Sequence, residues 1–244
     1  MTSLRLPALL ALDIAFMGEI APKLLHAAWI TLQISLISVL LGIVFGLIFG
    51  SLRVMGPPWL RSLIQGWVDF VRGVPPLLHI AFIYFALPYI GVRLNELWTG
   101  VLALTIIAVG YEIEIIRAAI ESIDRGQRES ALSIGMNERM TMVEILLPQA
   151  ARRMLPALTN ELANVIKASS LLSVISVNEL THVGNALIFQ HFVFAEVLIQ
   201  VTVLYLVIVS GLTFMSAYLE AKFFSRSTHG SDRYGAILGD PMIR

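Results

Sequence analysis

Of 244 residues, 57% are hydrophobic and only 14% are charged, which is too apolar for one soluble domain with a wetted surface and makes the bilayer the expected solvent. The formal net charge of zero argues against a nucleic-acid partner held by a basic face, and the absence of cysteine removes disulfides and thiolate metal sites.

The first run, LRLPALLALDIA, is interrupted by Pro7 and Asp13, and no small-residue cleavage site follows it. It reads as an amphipathic helix on the membrane surface rather than a signal peptide, within a periplasmic or interfacial segment at 1–27. A helix needs about 20 apolar residues to cross the hydrocarbon core. The run at 27–50 meets this with no ionisable group. Next comes GVPPLLHIAFIYFALPYIGV, between Arg72 and Arg93, expected to recruit the amphipathic lead-in LIQGWVDFV and to bend at Pro75, Pro76 and Pro88. The segment 97–120 carries Glu112 and Glu114 before Arg117, and 155–177 carries Glu161 and Lys167. The last run, 197–219, lies uncharged between Glu196 and Glu220. The expectation is an all-α integral membrane protein: five transmembrane helices in a domain at 28–224, then a loose polar tail at 225–244.

Loops retained in the cytoplasm are enriched in Lys and Arg. With the N-terminus outside, the cytoplasmic segments collect Arg53, Arg61, Arg117, Arg125, Arg128, Arg139, Arg152, Arg153, Lys222, Arg226, Arg233 and Arg244, while Arg5, Lys23 and Arg93 stay outside. Arg72 and Lys167 remain unassigned, inside the spans. This predicts a periplasmic N-terminus and a cytoplasmic C-terminus.

The segment GQRESALSIGMNERMTMVEILLP, at 126–148, is too charged to span and too short to own a core, so it must dock on something. Ala131, Ile134 and Gly135, then Met140, Val143, Ile145 and Leu146, form apolar stripes opposite Arg128, Glu129, Asn137 and Glu138. Gly135 reads as the C-cap that reverses the chain, MNER as the start of a second helix and Pro148 as its end. A helix pair lying on lipid headgroups would show similar stripes, but it leaves the polar gaps between them unexplained.

Here the residues resemble a known family. Glu129-Ser130-Ala131, Gly135 and Ile145-Leu146-Leu147-Pro148 are similar to the signature loop of permease subunits of ATP-binding cassette importers, with Ser130 in place of an alanine. VRGVPPLLHIAFIYF, YEIEIIRAAIESIDRGQ, LPQAARRMLPAL and VIKASSLLSVI resemble its polar amino acid branch, and the likeness runs from about Thr31 to Phe223. The resemblance implies a type I importer permease in a bacterial cytoplasmic (inner) membrane, importing a polar amino acid, cationic ones included. The partners implied are a second permease (the same chain or a sister), two cytosolic ATP-binding subunits and an extracytoplasmic solute-binding protein. The loop would be a coupling helix seated on an ATPase, with Glu129, Ser130, Ala131, Gly135 and Pro148 as its signature residues and Glu129 capping it. No Gly-Lys dipeptide occurs, so the chain has no phosphate-cradling loop; it is not itself an enzyme and needs no cofactor, ATP and Mg belonging to the partner.

Charges inside a membrane are costly enough to be functional candidates. Glu114, Arg117, Glu121 and Arg125 recur at helical spacing and read as a structural ladder, whereas Glu112 has no basic residue three or four positions away. Asn160, Asn164 and Lys167 share a stripe, with Glu161 one position round. Related sequences usually carry Gln at Glu161 and Asp at Ala168. The candidate substrate site is therefore Glu112, Glu161 and Asn164, the two carboxylates lending negative potential that favours an ammonium group, with His79 as a further pocket or gate residue; a packed core histidine fits His79 equally. Gly42, Gly46 and Gly50 allow close helix approach, within the subunit or at a dimer seam. Asn185, Gln190 and His191 fall in an outer loop without Lys or Arg, on the side where a binding protein would dock. The rival from another class is an ion-coupled secondary transporter using Glu112, Glu161 and His79 as a relay, which has no use for the charged loop.

Overall fold

The computed structural model describes residues 12–224. Helix α1 (Ile14–Met55) opens at Asp13, whose side chain accepts from the Phe16 N–H at 3.0 Å, and continues through Pro22. At about 1.5 Å per residue it is roughly 63 Å long, about twice the hydrocarbon core. Residues 14–27, expected as a separate segment, are therefore the first turns of α1. Most of the surface helix expected before them, and the tail at 225–244, lie outside the described residues.

Pro57 and Pro58 stop α1 from running into α2 (Pro58–Gly73), and Pro75 and Pro76 part α2 from α3 (Pro76–Ala86), which leads to a 3₁₀ turn at Leu87–Ile90 containing Pro88. Helix α4 (Glu96–Glu121) starts at Asn95, which accepts from the Trp98 N–H at 2.9 Å. A hairpin follows: α5 (Arg125–Ser133), capped by Asp124, then α6 (Glu138–Met140), capped by Asn137. Gly135 turns the chain between them at φ +87°, with the Met136 N–H donating back to the Ala131 carbonyl at 3.2 Å. A wide π turn (Thr141–Leu146) leads into α7 (Leu147–Ala168) and a 3₁₀ stretch (Ser169–Ile175); α8 (Leu180–His191) and α9 (Ala195–Phe224) complete the described chain.

Two expectations for the hairpin change. Pro148 ends nothing: the helix runs from Glu138 through the π turn into α7 without a break, and the wider π spacing just ahead of the proline gives its ring room. The cap of α5 is Asp124, accepting from the Gly126 N–H at 2.7 Å, and not Glu129.

Helices α1, α4 and α9 are long and apolar enough to cross a membrane; counting the two bent pairs as one span each gives five. The first pair bends by 102° between α2 and the helix at Pro76–Ile90, the second by 48° between Glu138–Ile175 and α8. The core lies between α1 and α4. A Cβ at Gly46 would sit 2.9 Å from Ile116 Cδ1 and 3.1 Å from Glu112 Cβ, and one at Gly50 3.0 Å from Ile116 Cγ2. The glycine stripe thus lets α4 of the same chain approach. A second core joins the hairpin to the spans through Ile116, Ile120, Ile123, Met142, Leu146 and Met154.

Candidate functional site

Helix α2 sorts its residues into three stripes. Ile64, Val68 and Val71 are buried, with Ile64 and Val68 packing against Val109 and Ile113 of α4. Trp59, Leu63, Trp67 and Phe70 are exposed on one side, while Arg61, Gln65, Asp69 and Arg72 recur every three or four positions on another. The aromatic stripe suits lipid; the polar stripe requires protein or water. Helix α7 continues the polar surface, with Arg153, Asn160, Asn164 and Lys167 exposed along one face.

Between these helices runs an ion-pair network wider than the expected ladder. Glu114 bonds both Arg117 and Arg53, and Arg117 reaches on to Glu121. Arg53, which also bonds Gln65, comes from α1, beyond the reach of a reading confined to one helix. Arg125, expected in the ladder, lines the hairpin groove instead. A groove of about 460 Å³ opens beside the network, lined by Arg72, Tyr111, Glu114, Ser122, Arg153 and Ala157 among others. Arg153 closes one end, donating to the Ser122 carbonyl and, at 2.9 Å, to its hydroxyl.

The expected substrate residues separate. Glu161 is buried to 6% exposure and accepts from Asn164 Nδ2 at 3.4 Å, so those two act together, one turn beyond Ala157 of the groove. Glu112 is fully buried, neither carboxylate oxygen finds a partner among the described residues, and its side chain rests against Gly42. It is within electrostatic reach of Glu161. His79 is also buried: Nδ1 lies 3.3 Å from the Pro75 carbonyl, Nε2 is unpartnered, and the ring meets Phe70 edge-on at 5.5 Å.

At the hairpin, Ala131 is buried while Glu129, Ser130, Gly135 and Pro148 are exposed. Arg128 bonds Glu138 across the turn, tying α5 to α6. Ala131 and Leu146 turn inward, but Ile134, Met140 and Val143 stay 80%, 42% and 54% exposed. A groove of about 760 Å³ lies behind the hairpin, between Met55, Ile120, Arg128 and Met142.

Residues 42–225 match the family model described as binding-protein-dependent transport system inner membrane component. The chain belongs to that family. Among curated relatives of this permease, the glutamine transport system permease protein of Escherichia coli (strain K12) is 36% identical, over 82% of this chain and 93% of the relative. The arginine transport system permease protein of Bacillus subtilis (strain 168) is 31% identical, over 84% and 94%. Among solved structures, a chain in the crystal structure of an amino acid ABC transporter with histidines superposes with a TM-score of 0.80 at 28% identity, covering 87% of this chain and all of that one. A chain of an inward-facing MetNI methionine ABC transporter shares the fold, with a TM-score of 0.74 at 21% identity over 82% and 96%. The architecture is that of a type I ABC importer permease, and the subunit is a membrane permease, not an enzyme.

Proposed function

We propose that this permease forms one half of the membrane path of an ATP-driven importer of polar amino acids in a bacterial cytoplasmic membrane, its N-terminus periplasmic and its C-terminus cytoplasmic. A second permease, this chain or a sister, supplies the other half; two cytosolic subunits bind ATP and Mg, and an extracytoplasmic binding protein delivers solute. The observation that carries this reading is the exposure of the apolar side chains Ile134, Met140 and Val143 on a charged hairpin outside α1, α4 and α9, at the end of the bent pair that starts at Glu138. Lipid could cover such a patch only by also taking in Arg128, Glu138 and Arg139, whereas a socket on an ATPase subunit covers the patch and leaves the charges at its rim. The glutamine and arginine transport systems to which the relatives belong support an amino acid as cargo. Glu161 and Asn164 form the wall that meets the solute, Glu112 stands behind it against Gly42, and His79 stands near the gate.

The test is purification of the tagged chain in gentle detergent, with its partners identified by mass spectrometry, beside Ile134→Asp. The wild type should bring down a soluble ATPase stoichiometrically. The variant should lose it while keeping its own melting temperature, since an exposed substitution stays within about 0.5 kcal/mol. An ATPase retained by Ile134→Asp would remove the patch from the interface; no ATPase with either chain would sink the reading itself.

A further inference from the structure

Two basic residues, Arg72 and Lys167, fall inside the spans, and Arg72 is the more unusual. It ends α2 beside Val71, which packs against Gly110 near the middle of α4. Arg53, Arg117 and Arg153 all have hydrogen-bonding partners, but Arg72 has neither a hydrogen bond nor an ion pair among the described residues. The ring of Tyr111 lies near it, with the guanidinium carbon 5.5 Å from the ring centroid. Arg72 is exposed on the face of α2 that the rest of this chain leaves open, and a guanidinium inside a span must meet water or an anion there.

The carboxylates of this chain do not supply one. Glu114 is occupied by Arg53 and Arg117, and Glu161, though within electrostatic reach of Arg72, forms no ion pair with it. The Tyr111 ring lies within cation–π range of the guanidinium, and no hydrogen bond among the described residues takes up its N–H groups, which can therefore meet a carboxylate on two parallel bonds. The 460 Å³ groove opens at this position, and Glu161 lies one turn beyond it.

We propose that Arg72, steadied by Tyr111, is the anion subsite of the path and takes the α-carboxylate of the solute while Glu161 faces its ammonium group. This rests on the reading that the cargo is an amino acid. It places a positive and a negative group on one wall, as a zwitterion requires.

The assembled transporter, without binding protein, is treated with phenylglyoxal, which modifies free guanidinium groups, and the rate at Arg72 is read by peptide mass spectrometry with exposed Arg93 as reference. An equimolar mixture of the common L-amino acids should slow modification of Arg72 roughly five-fold or more at concentrations several times Kd, and the corresponding amides should not. Arg72→Lys should raise the KM for uptake less than Arg72→Gln does. Equal rates with acids and amides would overturn the subsite, and so would an Arg72 unreactive even without solute, because a carboxylate of the second permease would then be its partner. Wild-type vesicles that import amino acids while Arg72 goes unprotected would sink the subsite alone. Vesicles that import none would take the underlying reading with it.

Discussion

Replacing Gly42 by alanine probes the contact that seats Glu112. The new Cβ would overlap a Glu112 carboxylate oxygen and lie 2.9 Å from Glu112 Cδ and 3.1 Å from Ala108 Cβ. Ala108 has no rotamer to change, so α1 and α4 must part or Glu112 must leave its position. Overpacking of this kind costs about 1–3 kcal/mol, against which alanine gains up to about 1 kcal/mol over glycine in a helix interior. Gly18, on the same helix with nothing within 4 Å of its Cβ position, gives the reference, because Gly18→Ala shows the helix gain alone. The gap between the two variants is then the packing cost, about 1–3 kcal/mol, or about 2–12 °C in melting temperature for a chain of this size. Thermal unfolding of the purified chain in detergent measures it. Adding Glu112→Ala makes room for the methyl, so the double variant should recover most of the loss. Equal melting temperatures for Gly42→Ala and Gly18→Ala would refute the packing; a stable variant that loses its second permease would return the stripe to the dimer seam.

The ion pairs should differ in worth by their access to water. Arg53→Met is expected to cost about 1–3 kcal/mol in thermal unfolding, less than a fully buried pair because Arg117 stays on Glu114, while Arg128→Met at the half-exposed hairpin pair should cost under about 1 kcal/mol. Phe192 ends α8 at φ +57° with its side chain 80% exposed, so Phe192→Gly should leave stability unchanged or raise it by up to about 1 kcal/mol; a loss above about 2 kcal/mol in the same melt would mean that the ring is buried by a contact.

What could be read from the sequence was whatever one helix records about itself. The apolar runs at 27–50, 97–120 and 197–219 fall within α1, α4 and α9 because length and hydropathy suffice there. Gly135 was legible because only a left-handed turn explains a glycine between two short amphipathic runs. Properties of pairs of helices were not. Arg53 and Glu114 are 61 positions apart, and nothing in either stretch names the other. The contact between Glu112 and Gly42 is equally silent, since a lone acid without a local base and a glycine stripe each admit several partners. Local pattern failed at Pro148 for another reason: proline is compatible with the end of a helix and with one that runs on through a widened turn, and the choice was made by the π turn before it.

That turn bears on how movement could pass through the subunit. A hairpin joined to the spans by flexible linkers would absorb any displacement applied to it. Here α6 runs through the π turn into α7 without a break, and Met142 and Leu146 of that turn pack with Ile116 and Ile120 at the end of α4 and with Ile123 just past it. Arg153 adds a polar tie from α7 to the Ser122 carbonyl, and Arg128 bonds Glu138 across the hairpin itself. A push on the patch at Ile134 therefore meets two helices at once. Because packed interiors shift as units and do not deform smoothly, α4 and α7 should move together, carrying Glu114 and Glu161 with them. Under the proposed function, the wall at Glu161 and the patch that an ATPase subunit would cover are then two ends of one packed unit, as coupling between them requires.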